Sequence, residues 1–128
     1  MTSLLHAFFL SFALAAPTTP SAPAAAPQPE AAVRELSAVN IEFRGTKVWV
    51  PATFIVRKGE KVRLTLINNA PSGAHGWAVD EFGVNVTINN DEKDNKKVVE
   101  FTPAKTGLFR SYCPLHPTHI GGQILVID

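Results

Sequence analysis

The stretch Tyr112-Cys113-Pro114-Leu115-His116-Pro117-Thr118-His119 holds the only cysteine of the 128-residue chain and two of its four histidines. A thiol and two imidazoles in one short loop are soft and borderline donors. They suit copper or zinc and poorly suit magnesium or calcium, which prefer oxygen ligands. Cys113 and His116 stand at i and i+3, so sulfur and an imidazole nitrogen can meet on one ion. Pro114 and Pro117 each fix a backbone φ and stiffen the loop. His119, at the next i+3 step, can swing into the same shell. A further donor must come from elsewhere, and His75 is placed for it in Ser72-Gly73-Ala74-His75-Gly76-Trp77. Its flanking glycines permit close backbone approach, and Trp77 can exclude water. An acyl-transfer enzyme built on Cys113 and His116 is not supported: Pro114 and a strand-end position offer no helix N-terminus to activate the thiol, and no oxyanion-hole pattern is evident.

These donors need a scaffold, and composition says where it starts. Met1 to Pro29 contains no Lys, Arg, Asp or Glu, and Leu4 to Leu14 is an apolar run ending in Ala13-Leu14-Ala15. Residues 1–15 read as a signal peptide for export to the periplasm or beyond, since the run is shorter than the roughly 20 apolar residues of a membrane span. No cysteine follows it that could carry a lipid anchor. Residues 16–37 are Ala- and Pro-rich and read as an extended, solvated linker, with 30–36 at most a helical turn. Residues 38–128 are enough for one domain. With 12 basic and 11 acidic residues, the net charge of +1 implies neither nucleic acid nor a lipid surface as partner. In an exported chain a lone cysteine has no intrachain disulfide partner, so Cys113 is free, shared between chains or bound to something.

Strand signals recur at short intervals within the domain. Val39–Phe43, Lys47–Val50, Thr53–Val56, Lys61–Ile67, Trp77–Val79, Val84–Ile88, Lys97–Phe101, Leu108–Tyr112 and Gly122–Ile127 are apolar or alternating runs bounded by turn residues. Allowing for mergers, they predict an all-β, antiparallel sandwich of seven to eight strands. Phe43, Trp49, Phe54, Leu64, Leu66, Val99, Phe101, Phe109, Leu125 and Ile127 are the candidate core. The Cys-His loop then falls between the last two strands, at one end of a rigid frame.

The region from about Ser37 to Asp128 resembles the cupredoxin superfamily, small Greek-key β-sandwiches that bind copper. His75-Gly76-Trp77-Ala78-Val79-Asp80-Glu81-Phe82-Gly83-Val84 and Tyr112-Cys113-Pro114-Leu115-His116-Pro117 carry the resemblance. It implies one copper ion per chain, held by His75, Cys113 and His116, and it favours copper over a tetrahedral zinc site. The dinuclear copper centre of cytochrome oxidase subunit II needs two cysteines and is excluded. The weak axial methionine of blue copper sites is also missing, because Met1 is the only methionine. His119 is the leading fourth ligand, with Gln123, a carbonyl near Ala74 or an open position as alternatives. A Cys-His₃ set is similar to nitrosocyanin-like red copper proteins. Those proteins carry a carboxylate in place of His75 and a longer loop before the final strand. Asp80 and Glu81 are candidates to orient a histidine N–H, against the alternative of a solvated turn.

The resemblance implies an exported mononuclear copper protein, more an electron carrier than an enzyme. A copper redox enzyme acting on a small molecule such as nitric oxide is one alternative. A copper store or chaperone is another, which a rigid loop disfavours. The sequence does not define the redox partner protein, and it is compatible with a homo-oligomer and with no membrane span in the mature chain.

Overall fold

In Val62-Arg63-Leu64-Thr65-Leu66-Ile67-Asn68 every second residue is buried, as a strand with one face on a core requires. The computed structural model describes residues 32–128, so the expected signal peptide and most of the expected linker lie outside the described residues. Nine strands follow in chain order: β1 Arg34–Phe43, β2 Thr46–Val50, β3 Thr53–Arg57, β4 Val62–Asn68, β5 His75–Val79, β6 Val84–Ile88, β7 Lys96–Phe101, β8 Gly107–Ser111 and β9 Gly122–Ile127. A short 3₁₀ turn, Asp80–Phe82, joins β5 to β6. β1 opens at Arg34, inside the segment whose composition suggested a linker or a helical turn. There it gains a ladder partner in β4, which composition alone cannot reveal. Among the described residues no helix is long and apolar enough to cross a membrane.

One sheet has the order β2-β1-β4-β7 and a second the order β3-β9-β8, with β5-β6 as a separate hairpin. The architecture is the expected cupredoxin-like sandwich, but its sheets are mixed rather than antiparallel: β1 pairs with β4, and β3 with β9, in parallel. Neighbours joined by tight turns must run antiparallel, whereas these two pairs meet through long connections that return the chain in the same direction.

The core between the sheets contains Trp49, Phe54, Leu64, Leu66, Val99 and Phe101, as expected, together with Trp77, Ile88, Ile124 and Val126. Three expectations are corrected. Phe43 is 55% exposed at the β1–β2 turn. On β9 the inward residues are Ile124 and Val126, while Leu125 is only half-buried and Ile127 is 38% exposed. The run Ile124-Leu125-Val126-Ile127 is apolar on both faces, so only its pairing with β3 and β8 selects the buried set. Phe109 is half-buried and tilts against Phe82, whose ring stacks on Phe101 at 4.9 Å.

The register makes a measurable difference. Ile124→Ala should cost about 2–5 kcal/mol in denaturant unfolding, the usual range for emptying a fully buried aliphatic site. Leu125→Ala should cost clearly less, and equal losses would contradict the assigned faces.

Candidate metal centre

His75 is the first residue of β5, and the loop before it is tied down by one side chain. Asn68, buried at the end of β4, donates its Nδ2 to the carbonyls of Gly73 and Ile88, each at 3.0 Å. Its Oδ1 accepts the Ala70 N–H at 3.1 Å, the local turn asparagine favours. From sequence, Asn68 is only the start of a loop; the signal that could have found it is an asparagine where a clean strand alternation stops.

Cys113 is carried in by a second tie. Tyr112 and Ala78 exchange both backbone hydrogen bonds, at 2.9 and 3.1 Å, which docks the end of β8 beside β5. Cys113 Sγ then accepts the Gly76 N–H at 3.2 Å, while the Gly76 carbonyl accepts the Trp49 indole N–H at 3.0 Å. Gly76 has no room for a side chain, since an added Cβ would lie 2.5 Å from Pro114 Cδ. Beyond Cys113 the chain makes two successive turns, closed by His116 N–H to the Cys113 carbonyl and His119 N–H to the His116 carbonyl, at 3.3 and 3.0 Å. That repeat turns the i, i+3 and i+6 side chains toward one side.

The result is a cluster. Donor atoms of His75, Cys113, His116 and His119 all lie within 4.8 Å of one another. Cys113 Sγ stands 3.6 Å from His116 Nδ1, and the His116 and His119 rings stack at 4.4 Å. His75 and Cys113 are buried, and His116 and His119 are half-buried.

Whether these residues suit a metal can be read from their hydrogen bonding. Among the described residues only three buried side-chain atoms have no partner: Asn40 Oδ1, His75 Nδ1 and His119 Nδ1. His75 Nε2 lies 3.2 Å from the Ser72 carbonyl. A carbonyl can only accept, so Nε2 carries the proton and Nδ1 is left with a lone pair. A buried lone pair without a donor is costly in any protein that does not use it. Two of the three such atoms belong to this cluster, and a soft cation is what a thiol beside imidazole lone pairs fits. Nothing in the structure explains the third, Asn40 Oδ1.

The other sequence candidates lie elsewhere. Gln123 is exposed on β9, its amide donating to Thr53 Oγ1 at 3.4 Å. Asp80 and Glu81 are exposed, and Asp80 accepts the Tyr112 hydroxyl at 2.8 Å rather than a histidine N–H. The Tyr112 pKa is raised, chiefly by that bond.

The Cupredoxin-like domain family matches residues 4–126, and the chain belongs to it. A comparison with curated protein sequences yields no significant match. Several solved structures share the fold. Auracyanin from the photosynthetic bacterium Roseiflexus castenholzii aligns with a TM-score of 0.59 at 12% identity, over 73% of this chain and 97% of its own. The metal-binding domain of the Streptococcus pneumoniae Cu(I)-exporting P-type ATPase CopA gives 0.57 at 20% identity, over 77% and 99%. The periplasmic domain of cytochrome oxidase subunit II from Bradyrhizobium japonicum gives 0.56 at 16% identity, over 78% and 87%.

Two tests follow from this geometry. Gly76→Ala forces the Pro114 ring and the Cys113 loop apart and should destabilise the metal-free protein by about 1–3 kcal/mol, as overpacking does; unchanged unfolding would mean the loop yields freely. The second concerns pH. His75 and His119 both have pKa values lowered from 6.5, chiefly by burial, with the Ser72 carbonyl opposing the shift at His75. Folded, these rings stay neutral where the unfolded chain would protonate them. The unfolded state therefore binds more protons as pH falls, and stability drops with it. The urea midpoint of the metal-free protein should fall between pH ~7 and ~5, above most carboxylate titration. A flat midpoint over that span would contradict the lowered pKa of these two rings.

Proposed function

We propose that this chain is an exported mononuclear copper protein whose His75, Cys113, His116 and His119 hold one ion for one-electron transfer. The observation that carries the reading is the meeting of one sulfur with imidazole nitrogens left without hydrogen-bond partners. Copper bound there would supply a couple that gains and loses one electron without proton chemistry.

The chain's own residues supply the rest. The Gly76 N–H orients the Cys113 sulfur and complements negative charge on it. The Ser72 carbonyl selects the His75 tautomer, an arrangement typical of histidines that bind metals. Burial lowers the pKa of His75 and His119, which favours the neutral rings that can donate to a metal. Pro114, Pro117 and the paired turns limit movement of the loop, so little reorganisation accompanies a change of charge. Leu115 and Ile120 are exposed beside the histidines, an apolar rim that suits brief contact with a redox partner. The same stiffness disfavours a copper store or chaperone, whose ligands must exchange. Residues 1–15 would direct export to the periplasm.

The presence of His119 in the cluster favours the nitrosocyanin-like subtype over a blue copper site. It also keeps a second reading in view, a redox enzyme acting on a small molecule such as nitric oxide. Absorption and EPR spectra of the copper-loaded protein address both. Cys113→Ser should abolish the thiolate-to-copper band, and His119→Ala should shift that band and change the copper hyperfine splitting. Identical spectra for His119→Ala and the parent would remove His119 from the ligand set. A spectral response to added nitric oxide would favour the enzyme, and none would favour the carrier.

A further inference from the structure

On β2, Lys47 lies two residues before Trp49 and so projects from the same face of the strand. Trp49 is buried and its indole N–H holds the Gly76 carbonyl beside Cys113, so this face looks toward the cluster end of the sandwich. Val48, between them, bridges Ile120, the residue after His119. Lys47 is thus brought near the His119 side of the site by the strand that flanks it. Its ammonium pairs with Glu42, which sits directly opposite it on β1.

That pair differs from the others. Of the five ion pairs among the described residues, four have cations exposed at 41–47%, whereas the Lys47 side chain is 16% exposed and Glu42 39%. A shielded charge is screened least by water and salt.

We infer that Lys47, held in place by Glu42, is a positioning residue for charge: a fixed cation beside the cluster that raises the reduction potential of copper bound there. The effect, which rests on the copper reading above, follows from the sign of the charge. Oxidised copper carries one more positive charge than reduced copper, so a nearby ammonium disfavours the oxidised form. Glu42 restrains the ammonium and opposes part of its field from the more exposed side.

The test is the reduction potential of the copper-loaded protein in four forms. Lys47→Met should lower the potential, Glu42→Gln should raise it, and the double variant should fall between them. Lys61→Met, which removes an exposed cation paired with Glu100, should leave it near the parent value. A role confined to stability would move unfolding but not the potential in opposite directions. Lys47→Gln provides the same charge change with a polar side chain and should reproduce the fall. A parent protein without a thiolate-to-copper band overturns the proposed function and this inference with it. A parent that shows the band, but whose Lys47 variants shift the potential no more than Lys61→Met does, overturns this inference alone.

Discussion

The peptide at Gly76 is the joint on which the site depends. Its N–H holds the Cys113 sulfur, its carbonyl holds the Trp49 indole, and its bare Cα leaves room for the Pro114 ring. Three distant parts of the chain therefore meet on one residue that has no side chain. Each contact is individually modest, on the order of 1 kcal/mol net for a hydrogen bond. Their value lies in geometry, since together they bring the donor of β5 and the donors of the last loop to a common point.

The surrounding sandwich makes that joint stiff. Trp77, one residue on, is buried against Phe101, and Phe101 stacks on Phe82 from the turn after β5. The strand that positions His75 is thus anchored in the core immediately behind the site. At the other end, Gly122 opens β9 where an added Cβ would lie 2.3 Å from the Ala52 carbonyl. The loop from Cys113 to Gly121 is therefore pinned at both ends by positions that accept only hydrogen. A rigid frame of this kind is what allows buried imidazoles to stay neutral and oriented, because loop relaxation would otherwise let water satisfy them.

Much of this was legible in the chain. The strands could be read because most bury only one face, so that β4 alternates cleanly. The donor set could be read because cysteine and histidine are scarce and lie close together in sequence. The face of β9 could not, because a run apolar on both sides carries no phase, and its register comes from the two strands beside it. Parallel pairing of β1 with β4 and of β3 with β9 was equally hidden, since no local pattern distinguishes parallel from antiparallel neighbours. Asn68 reads as the start of a loop and Lys47 as the first residue of a strand, because the partners of each, Gly73 and Ile88 for Asn68 and Glu42 for Lys47, are brought to it only by the fold.

By itself, the sequence determined the chemistry on offer: one thiol, three imidazoles in the domain, prolines that stiffen the loop, and a β-rich chain with no second cysteine and no methionine beyond Met1. It left the choice open between His119, Gln123, a carbonyl and an empty position. Tertiary structure decided which of these groups come together. The strand carrying Gln123 turns that side chain outward to Thr53, while the double turn after Cys113 turns His119 inward. The physical reason is that residue type fixes what a side chain can donate, but strand register and backbone hydrogen bonds fix where it points.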